Sequence, residues 1–394
     1  MSDTRSQQPL RRDTVRLRAA AERQLRVAIA AAGRFHVLDL ARQLDRLGFD
    51  VRFYSYVPRR RAERFGLPRR CHVGLLPLVA PIVAWQRLKP DLMPALQERA
   101  MFRALNAAVI ARLLPCDVFI CMSGIYLEAA RHAKKRFGAR IFIERGSRHI
   151  LSQREILAEI AGAIGPSDLA VGRELAGYAL ADRIVVPSAH VAESFARDPD
   201  AAAKLFVDPY GVDLDQFPPR SAAAPDPTVL FVGAWSYRKG VDVLASAVLQ
   251  MPGVHLLHVG GFGDAPFPDH PRIHHHDPVE QFELSRFYGK AHVFVMPSRE
   301  EGMALVQAQA LASGLPLVCT ERSGGADLAH SPAVARRIRV VAAGDLTALE
   351  EGIKAALADS SVAECSGPLV AEDRDLLSWQ AYGERYAAEL RRTM

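Results

Sequence analysis

The sequence predicts an α/β protein built from two doubly wound, Rossmann-like parallel sheets, and three observations carry that expectation. Short apolar, β-branched runs alternate with helical patterns along nearly the whole chain, the pattern of parallel sheets covered by helices on both faces. The alternation breaks once, at the Pro- and Ala-rich stretch FPPRSAAAPDPT (217–228), and then restarts. At 394 residues the chain exceeds what one hydrophobic core ordinarily holds, so two domains are expected.

In the first half, LRVAIAA (25–31), VRFYSY (51–56), CDVFICM (116–122), ARIFIE (139–144) and DRIVVPS (182–188) read as strands, because apolar runs of this length suit a doubly covered sheet. Between them lie helical patterns such as FHVLDLARQLDRL. After the break come TVLFVG (228–233), VHLLHVG (254–260), RIHHH (272–276), HVFVMPS, LPLVCT and a last strand over 338–343. DLLSWQAYGERYAAELRR (375–392) reads as an amphipathic helix beyond that strand. The expected organisation is a tail over 1–24, a first domain over 25–218, a linker over 219–227, a second domain over 228–374 and a terminal helix over 375–394. In such folds ligands bind outside the carboxyl ends of the strands, so a cleft between the two domains is the expected site.

Composition narrows the class. With 49% hydrophobic and 24% charged residues the chain reads as a cored globular protein. Five cysteines (Cys71, Cys116, Cys121, Cys319, Cys365) make neither a CxxC pair nor a zinc spacing, which points to a reducing cytoplasm. The Arg-bearing N-terminus lacks the apolar core of a secretory signal, and no apolar run is long enough to span a membrane. Charge is uneven: residues 1–180 hold 31 Lys and Arg against 16 Asp and Glu, a formal +15, while the remainder carries −9. Either this is a solvated face, or the N-terminal half meets an anionic partner, a membrane surface or a phosphorylated acceptor. PRRRAERFGLPRR (58–70) lacks interleaved aromatics and any helix-turn-helix pattern, so nucleic acid is not expected as a partner.

Two stretches carry chemistry. In FVGAWSYRKGVDVL (231–244) a strand runs through a glycine turn into a helix, with Arg238 and Lys239 just before Gly240; cations and free backbone amides at a strand's carboxyl end suit an anion. In SREEGMALVQAQALASGLP (298–316) the helix expected over about 304–313 starts at Gly302, Met303 and Ala304, whose amides could meet a diphosphate. A carboxylate at that mouth, Glu301, suits sugar hydroxyls rather than phosphate, while Glu300 reads as a loop carboxylate. Gln309, eight residues on, is either a helix amide bonded to a neighbour or a donor and acceptor for a vicinal diol.

These residues, read together as PSxxEGxxLxxxxAxAxGLP, resemble the signature of family 4 glycosyltransferases, which have the GT-B fold. GAWSYRKG resembles the family's phosphate loop; VVPSAHVAESF (185–195) and YGVDLDQF (210–217) resemble the end of its N-terminal domain; AAGRFHVLDLARQLDRLGF (31–49) resembles its first glycine loop. LSWQAYGERY (377–386) resembles the terminal helix that returns to the N-terminal domain. The resemblance implies a retaining glycosyltransferase that moves a sugar from a nucleotide diphosphate sugar to a hydroxyl acceptor, without a required metal or other cofactor. It implies that Arg238 and Lys239 hold the donor diphosphate, that Glu301 binds sugar hydroxyls, that the Gly302, Met303 and Ala304 amides assist, that Gln309 contacts the ribose and that Gly33 lets a ligand approach the backbone.

Three positions depart from the pattern: Ala234 replaces an arginine, Gln309 replaces a glutamate, and the strand that often ends in a histidine ends here as FICMSG (119–124). On the acceptor side Arg145, Ser147 and His149, in ERGSRHI (144–150), are the candidates. The resemblance implies a front-face mechanism in which the leaving phosphate takes the acceptor's proton, so a missing histidine is tolerable. His274, His275 and His276 are consecutive on a strand and point to alternating faces, so they are not expected to share a metal ion. GGFGDAPF (260–267) lacks the glycine spacing of a dinucleotide fingerprint. The alternatives are a non-catalytic GT-B protein that binds a nucleotide sugar or polysaccharide, and a nucleotide-sugar epimerase. The expected location is the cytoplasm, with peripheral contact at the inner membrane face.

Overall fold

A computed structural model describes residues 24–90, 92–220, 225–360 and 367–394. Nearly all of the expected tail, the centre of the expected linker (221–224) and Cys365 lie outside these residues.

Thirteen strands are described: β1 (Arg26–Ala31), β2 (Asp50–Ser55), β3 (His72–Gly74), β4 (Val118–Met122), β5 (Arg140–Glu144), β6 (Arg183–Val186), β7 (Leu205–Val207), β8 (Thr228–Val232), β9 (His255–Val259), β10 (Ile273–His276), β11 (Val293–Met296), β12 (Leu317–Thr320) and β13 (Ile338–Val341). They form two parallel sheets, one of seven strands in the order β3-β2-β1-β4-β5-β6-β7 and one of six in the order β10-β9-β8-β11-β12-β13. The α/β expectation therefore stands, with two Rossmann-like sheets. Every strand read from the sequence is present; β3 and β7 are additions. Each of these has three residues and lies at a sheet edge, too short to show a periodicity.

By internal contacts the chain divides into two compact units, residues up to Ile120 with Ala129–Arg140, and Cys121–Glu128 with Ile141–Met394. In the smaller unit β1 and β2 run in register, Arg26 opposite Asp50 and Ala31 opposite Ser55. The helix His36–Arg46 covers them by burying Val37, Leu38, Leu40, Ala41 and Leu44, a stripe at helical spacing. A different helix of this unit, Leu76–Leu88, is apolar in sequence yet buries only Val79 and Ile82.

In the larger unit the central strands of the second sheet, β8 and β11, are buried at every residue. The helix Val241–Gln250 follows Gly240, whose φ of 68° is left-handed. A Cβ there would lie 2.0 Å from the carbonyl oxygen of Pro297, so the position demands glycine twice over. The terminal helix Trp379–Thr393 starts at Ser378, whose hydroxyl accepts the Ala381 amide at 3.0 Å. It returns to the first sheet: Tyr386 donates to Glu144 at 2.6 Å, Arg385 donates to Asp208 at 2.7 Å, and the Val212 amide bonds the Leu377 carbonyl at 2.7 Å. Burial pushes the Asp208 carboxyl up to about 8, against the opposing pull of Arg385 and with a smaller upward push from Glu144.

Candidate active site

Two strand ends of the larger unit build the site. β8 hands over through Gly233 to a short 3-10 turn, Tyr237–Lys239, that carries both cations. β11 hands over to the segment leading into the helix Leu305–Ala312. Arg299 stitches the two together. Its amide donates to the Arg238 carbonyl at 2.9 Å, and its guanidinium forks onto Asp242 at 2.6 and 2.7 Å.

The stitching brings Arg238, Lys239, Glu300 and Glu301 into one cluster. Lys239 Nζ donates to Glu301, and Arg238 Nη2 lies 3.9 Å from the same oxygen. Arg238 Nε donates to Glu300 Oε2 at 2.8 Å. Both carboxylates are buried, Glu300 at 0% and Glu301 at 8% exposure, so Glu300 is a loop carboxylate, as read from the sequence, that the fold seals from water. A carboxylate survives burial only when cations and hydrogen bonds compensate it. Burial by itself would raise the Glu301 carboxyl; Lys239, Arg238 and the Gly302 amide outweigh it and hold the group below the ordinary carboxylate range. Burial likewise opposes the Arg238 charge, and Glu301 and Glu300 overcome it. Glu301 is therefore an ionised acceptor at neutral pH, suited to hydroxyls and unsuited to donating a proton.

The cluster continues through Arg145, an acceptor-side candidate, and through Gln153 and Glu174, which carry no signal in the sequence. Gln153 Nε2 donates to Glu300 Oε2 at 3.1 Å, while its Oε1 accepts from Arg145 Nη2 at 2.8 Å. Arg145 Nη1 donates to Glu174 Oε1 at 2.9 Å, and Glu174 also accepts from the Ser123 hydroxyl. The second Glu300 oxygen is buried with no hydrogen-bond partner among the described residues. Glu174 and Gln153 sit on helices with ordinary mixed patterns, so nothing local marks them.

The backbone amides expected to face a ligand are partly spoken for. The Gly302 amide supports Glu301. The Ala304 amide donates to Gln307 Oε1 at 3.2 Å, because a helix's first amides lack internal partners and a glutamine three residues on can reach back to them. Gly302 is pressed against backbone, since a Cβ would lie 1.9 Å from the Gly146 carbonyl oxygen and close to Ser147 Cα. Met303 is buried. Gln309 is buried too, and its Oε1 accepts the Tyr288 hydroxyl at 3.0 Å. The oxygen expected to face a ribose is thus engaged with a core tyrosine, because position 309 faces the short helix Ser285–Tyr288.

The acceptor-side candidates diverge. Arg145 joins the buried network described above, and Ser147 lies by its backbone against Gly302. His149 turns elsewhere: its Nδ1 accepts the Leu151 amide at 3.3 Å as a helix cap, and its ring packs on Tyr178 and Phe195. It lines a pocket of about 390 Å³ with Arg148, Ser152, Arg197 and Asp198. Gly33 belongs to the smaller unit, where a Cβ would meet only the Phe35 ring at 3.5 Å. The histidine triplet splits as strand geometry demands, His274 pairing with His255 at 3.2 Å and His275 with His258 at 3.0 Å. His258 is packed with Phe231, Trp235 and Phe267 beside the turn at Gly233, an aromatic cluster that sequence spacing does not disclose.

A family model described as Glycosyltransferase Family 4 matches residues 34–216, and one described as Glycosyl transferases group 1 matches residues 226–359. The chain is 27% identical over 234 residues to the sulfoquinovosyl transferase SQD2 of Arabidopsis thaliana, covering 53% of this chain and 45% of that protein. It is 31% identical over 188 residues to a D-inositol 3-phosphate glycosyltransferase of Xylanimonas cellulosilytica, covering 40% and 45%. The chain thus spans less than half the length of these curated relatives. Its fold is similar to sucrose-phosphate synthase of Thermosynechococcus elongatus, with a TM-score of 0.69 at 19% identity over 94% of this chain and 99% of that one. It is also similar to Anabaena HepE in complex with UDP-glucose, with a TM-score of 0.64 at 14% identity over 93% and 100%.

Two parallel Rossmann-like sheets, and the likeness to these structures over nearly the full chain, define the GT-B class. Within that class, the two matched segments account for most of the sequence, and the chain belongs to the group 1 glycosyltransferases of family 4.

Proposed function

We propose that the protein is a retaining glycosyltransferase that moves a sugar from a nucleotide diphosphate sugar to a hydroxyl acceptor. The observation that carries this reading is the cluster of Arg238 and Lys239 with Glu301 where β8 and β11 hand over to helices. The neighbour crystallised with UDP-glucose supports the donor class. On this reading an incoming diphosphate competes with Glu301 for Lys239, and the freed carboxylate accepts from sugar hydroxyls. The bond from C1 to the diphosphate oxygen breaks while the acceptor oxygen bonds C1 from the same face, and the acceptor's proton passes to the departing phosphate oxygen. Arg238 and Lys239 take up the charge that develops on the leaving group, which is where fixed cations lower a barrier most. The chemistry asks for no divalent ion, and the proposed setting is the cytoplasm, at the inner membrane face.

Incubation with UDP-, GDP- and ADP-sugars should release nucleoside diphosphate from one donor, slowly without an acceptor and faster with one. Lys239→Ala and Glu301→Ala should each reduce release to background while circular dichroism shows a folded chain. Full activity in either variant would sink the site assignment. A second reading, a non-catalytic binder of nucleotide sugars, draws on Ala234 and on Gln309 being engaged by Tyr288. Calorimetric binding of a donor with no release under any condition would select it, and an isomerised sugar nucleotide as product would select an epimerase.

A further inference from the structure

The helix Leu76–Leu88 has a surface that a water-facing helix does not ordinarily carry. Pro77, Ala80, Pro81, Ala84 and Leu88 recur at helical spacing and are all exposed, so the outward stripe is apolar from end to end. Leu76 and Leu78 widen it at one end, and Leu92, Met93 and Leu96 continue it past the other, with Leu88 exposed at 79% and Met93 at 57%. Elsewhere in the chain, the helix Leu127–Phe137 turns Arg131, Lys134, Lys135 and Arg136 to solvent, as an outward helix face normally does. A contiguous exposed apolar stripe marks a surface that something covers.

Charge identifies what covers it. The preceding segment exposes Arg59, Arg60 and Arg69, while Arg87 in the helix's last turn and Lys89 just past it are exposed too. These cations belong to the same edge of the smaller unit as the apolar stripe. β2 and its parallel neighbour β3, the edge strand, release the basic helix Arg59–Arg64 and the apolar helix from the same strand ends. Arg59 is near enough to His72, and Arg87 to Tyr56, for their charges to bear on those rings. A second copy of the chain would bring these arginines against their like, and a nucleic acid would leave the leucines without a partner. An interface with acyl chains below and phosphates above satisfies both at once.

We propose that this edge of the smaller unit docks on an anionic lipid surface, the helix Leu76–Leu88 lying in the interface plane with its leucines among the acyl chains and Arg59, Arg60, Arg69, Arg87 and Lys89 on lipid phosphates. The inference rests on the proposed glycosyl transfer only in giving the hydroxyl acceptor a membrane setting. No described helix is long and apolar enough to cross a membrane, and none is needed for this mode of contact.

Vesicle flotation of the full chain tests the docking without donor or acceptor. The chain should float with phosphatidylglycerol-containing vesicles at low salt, release as salt rises, and ignore pure phosphatidylcholine. Leu78→Asp with Leu88→Asp, and separately Arg59→Glu with Arg60→Glu, should each weaken vesicle affinity at least about thirtyfold, the loss expected from removing about two lipid-facing charges or the apolar anchor. All four positions are exposed, so circular dichroism should be unchanged. Indifference of the wild type to anionic vesicles overturns the proposal, as does undiminished flotation of either variant. Self-association in sedimentation that the leucine pair abolishes also overturns it, assigning the stripe to a second copy. Nucleoside diphosphate release measured in parallel without vesicles separates these outcomes from failure of the glycosyltransferase reading.

Discussion

Gln309 lies at the centre of an alanine- and leucine-rich helix, where a buried amide must find partners or cost free energy. Its Oε1 accepts the hydroxyl of Tyr288, a side chain whose burial raises it well above its ordinary pKa and leaves it a hydrogen-bond donor. Gln309→Leu would remove the shorter of that hydroxyl's two hydrogen bonds and leave it only the Val306 carbonyl at 3.3 Å. The expected loss is about 1 kcal/mol of stability, the net worth of one hydrogen bond, read from denaturant midpoints. Donor affinity should change by no more than a few-fold; a tenfold loss of affinity at unchanged stability would return the amide to the ligand. The same logic explains Glu300. It is fully buried beside a loop of charged residues, and it holds Arg238 by a 2.8 Å ion pair while Gln153 holds it in turn.

At the scale of elements, the junction of β8 with the helix Val241–Gln250 runs through Gly233 and Gly240, and Gly240 is the more confined of the two. Gly240 has φ of 68° and its missing Cβ leaves room for the Pro297 carbonyl, whereas Gly253 has φ of 76° with nothing within 4 Å. Alanine at either position bears the left-handed backbone cost, about 1 kcal/mol or somewhat more. Only at Gly240 must backbone also move, and the backbone it would push is the approach to Glu300 and Glu301. Gly240→Ala should therefore destabilise by about 1 to 3 kcal/mol more than Gly253→Ala and should slow nucleotide release, while Gly253→Ala leaves release intact. Paired denaturation and turnover measurements check this; equal losses in the two variants would mean that the Pro297 contact relaxes freely.

For the whole molecule, two buried groups of the larger unit set opposite trends with pH. Burial pushes His258 down to about 4 from 6.5, against a hydrogen bond to Gly233 and with a smaller downward push from His275. Its contribution is full above 6.5, where neither folded nor unfolded chain is protonated there, and is lost as pH falls from 6.5 toward 4. Asp208 is raised from 3.8 to about 8, so its contribution is full below 3.8 and is lost as pH rises toward 8. Between pH 4 and 6.5 the two slopes cancel, and from 6.5 to 8 only the loss from Asp208 remains. Denaturant midpoints of Asp208→Asn should lack the decline between pH 6.5 and 8, and those of His258→Gln should decline already from pH 4 upward. A pH profile unchanged by either substitution would contradict the burial that shifts these groups.

The sequence by itself determined the α/β class, the two sheets and the eleven longer strands, because apolar runs, glycine turns and helical spacing are local signals. It also marked Arg238, Lys239 and Glu301, since each lies where a strand hands over to a helix, and the tertiary structure brings those three together. What only the tertiary structure decided are facts of contact between segments far apart in the chain. Glu300 and Glu301 are adjacent carboxylates with the same local signal, yet one is sealed in by Arg238 and Gln153 and the other meets Lys239. Gln309 acquired its tyrosine, His149 its helix cap and Ala304 its glutamine in the same way. The apolar run Leu76–Leu88 stays mostly uncovered, because hydrophobicity records what a side chain avoids in water but not whether the fold supplies a cover for it.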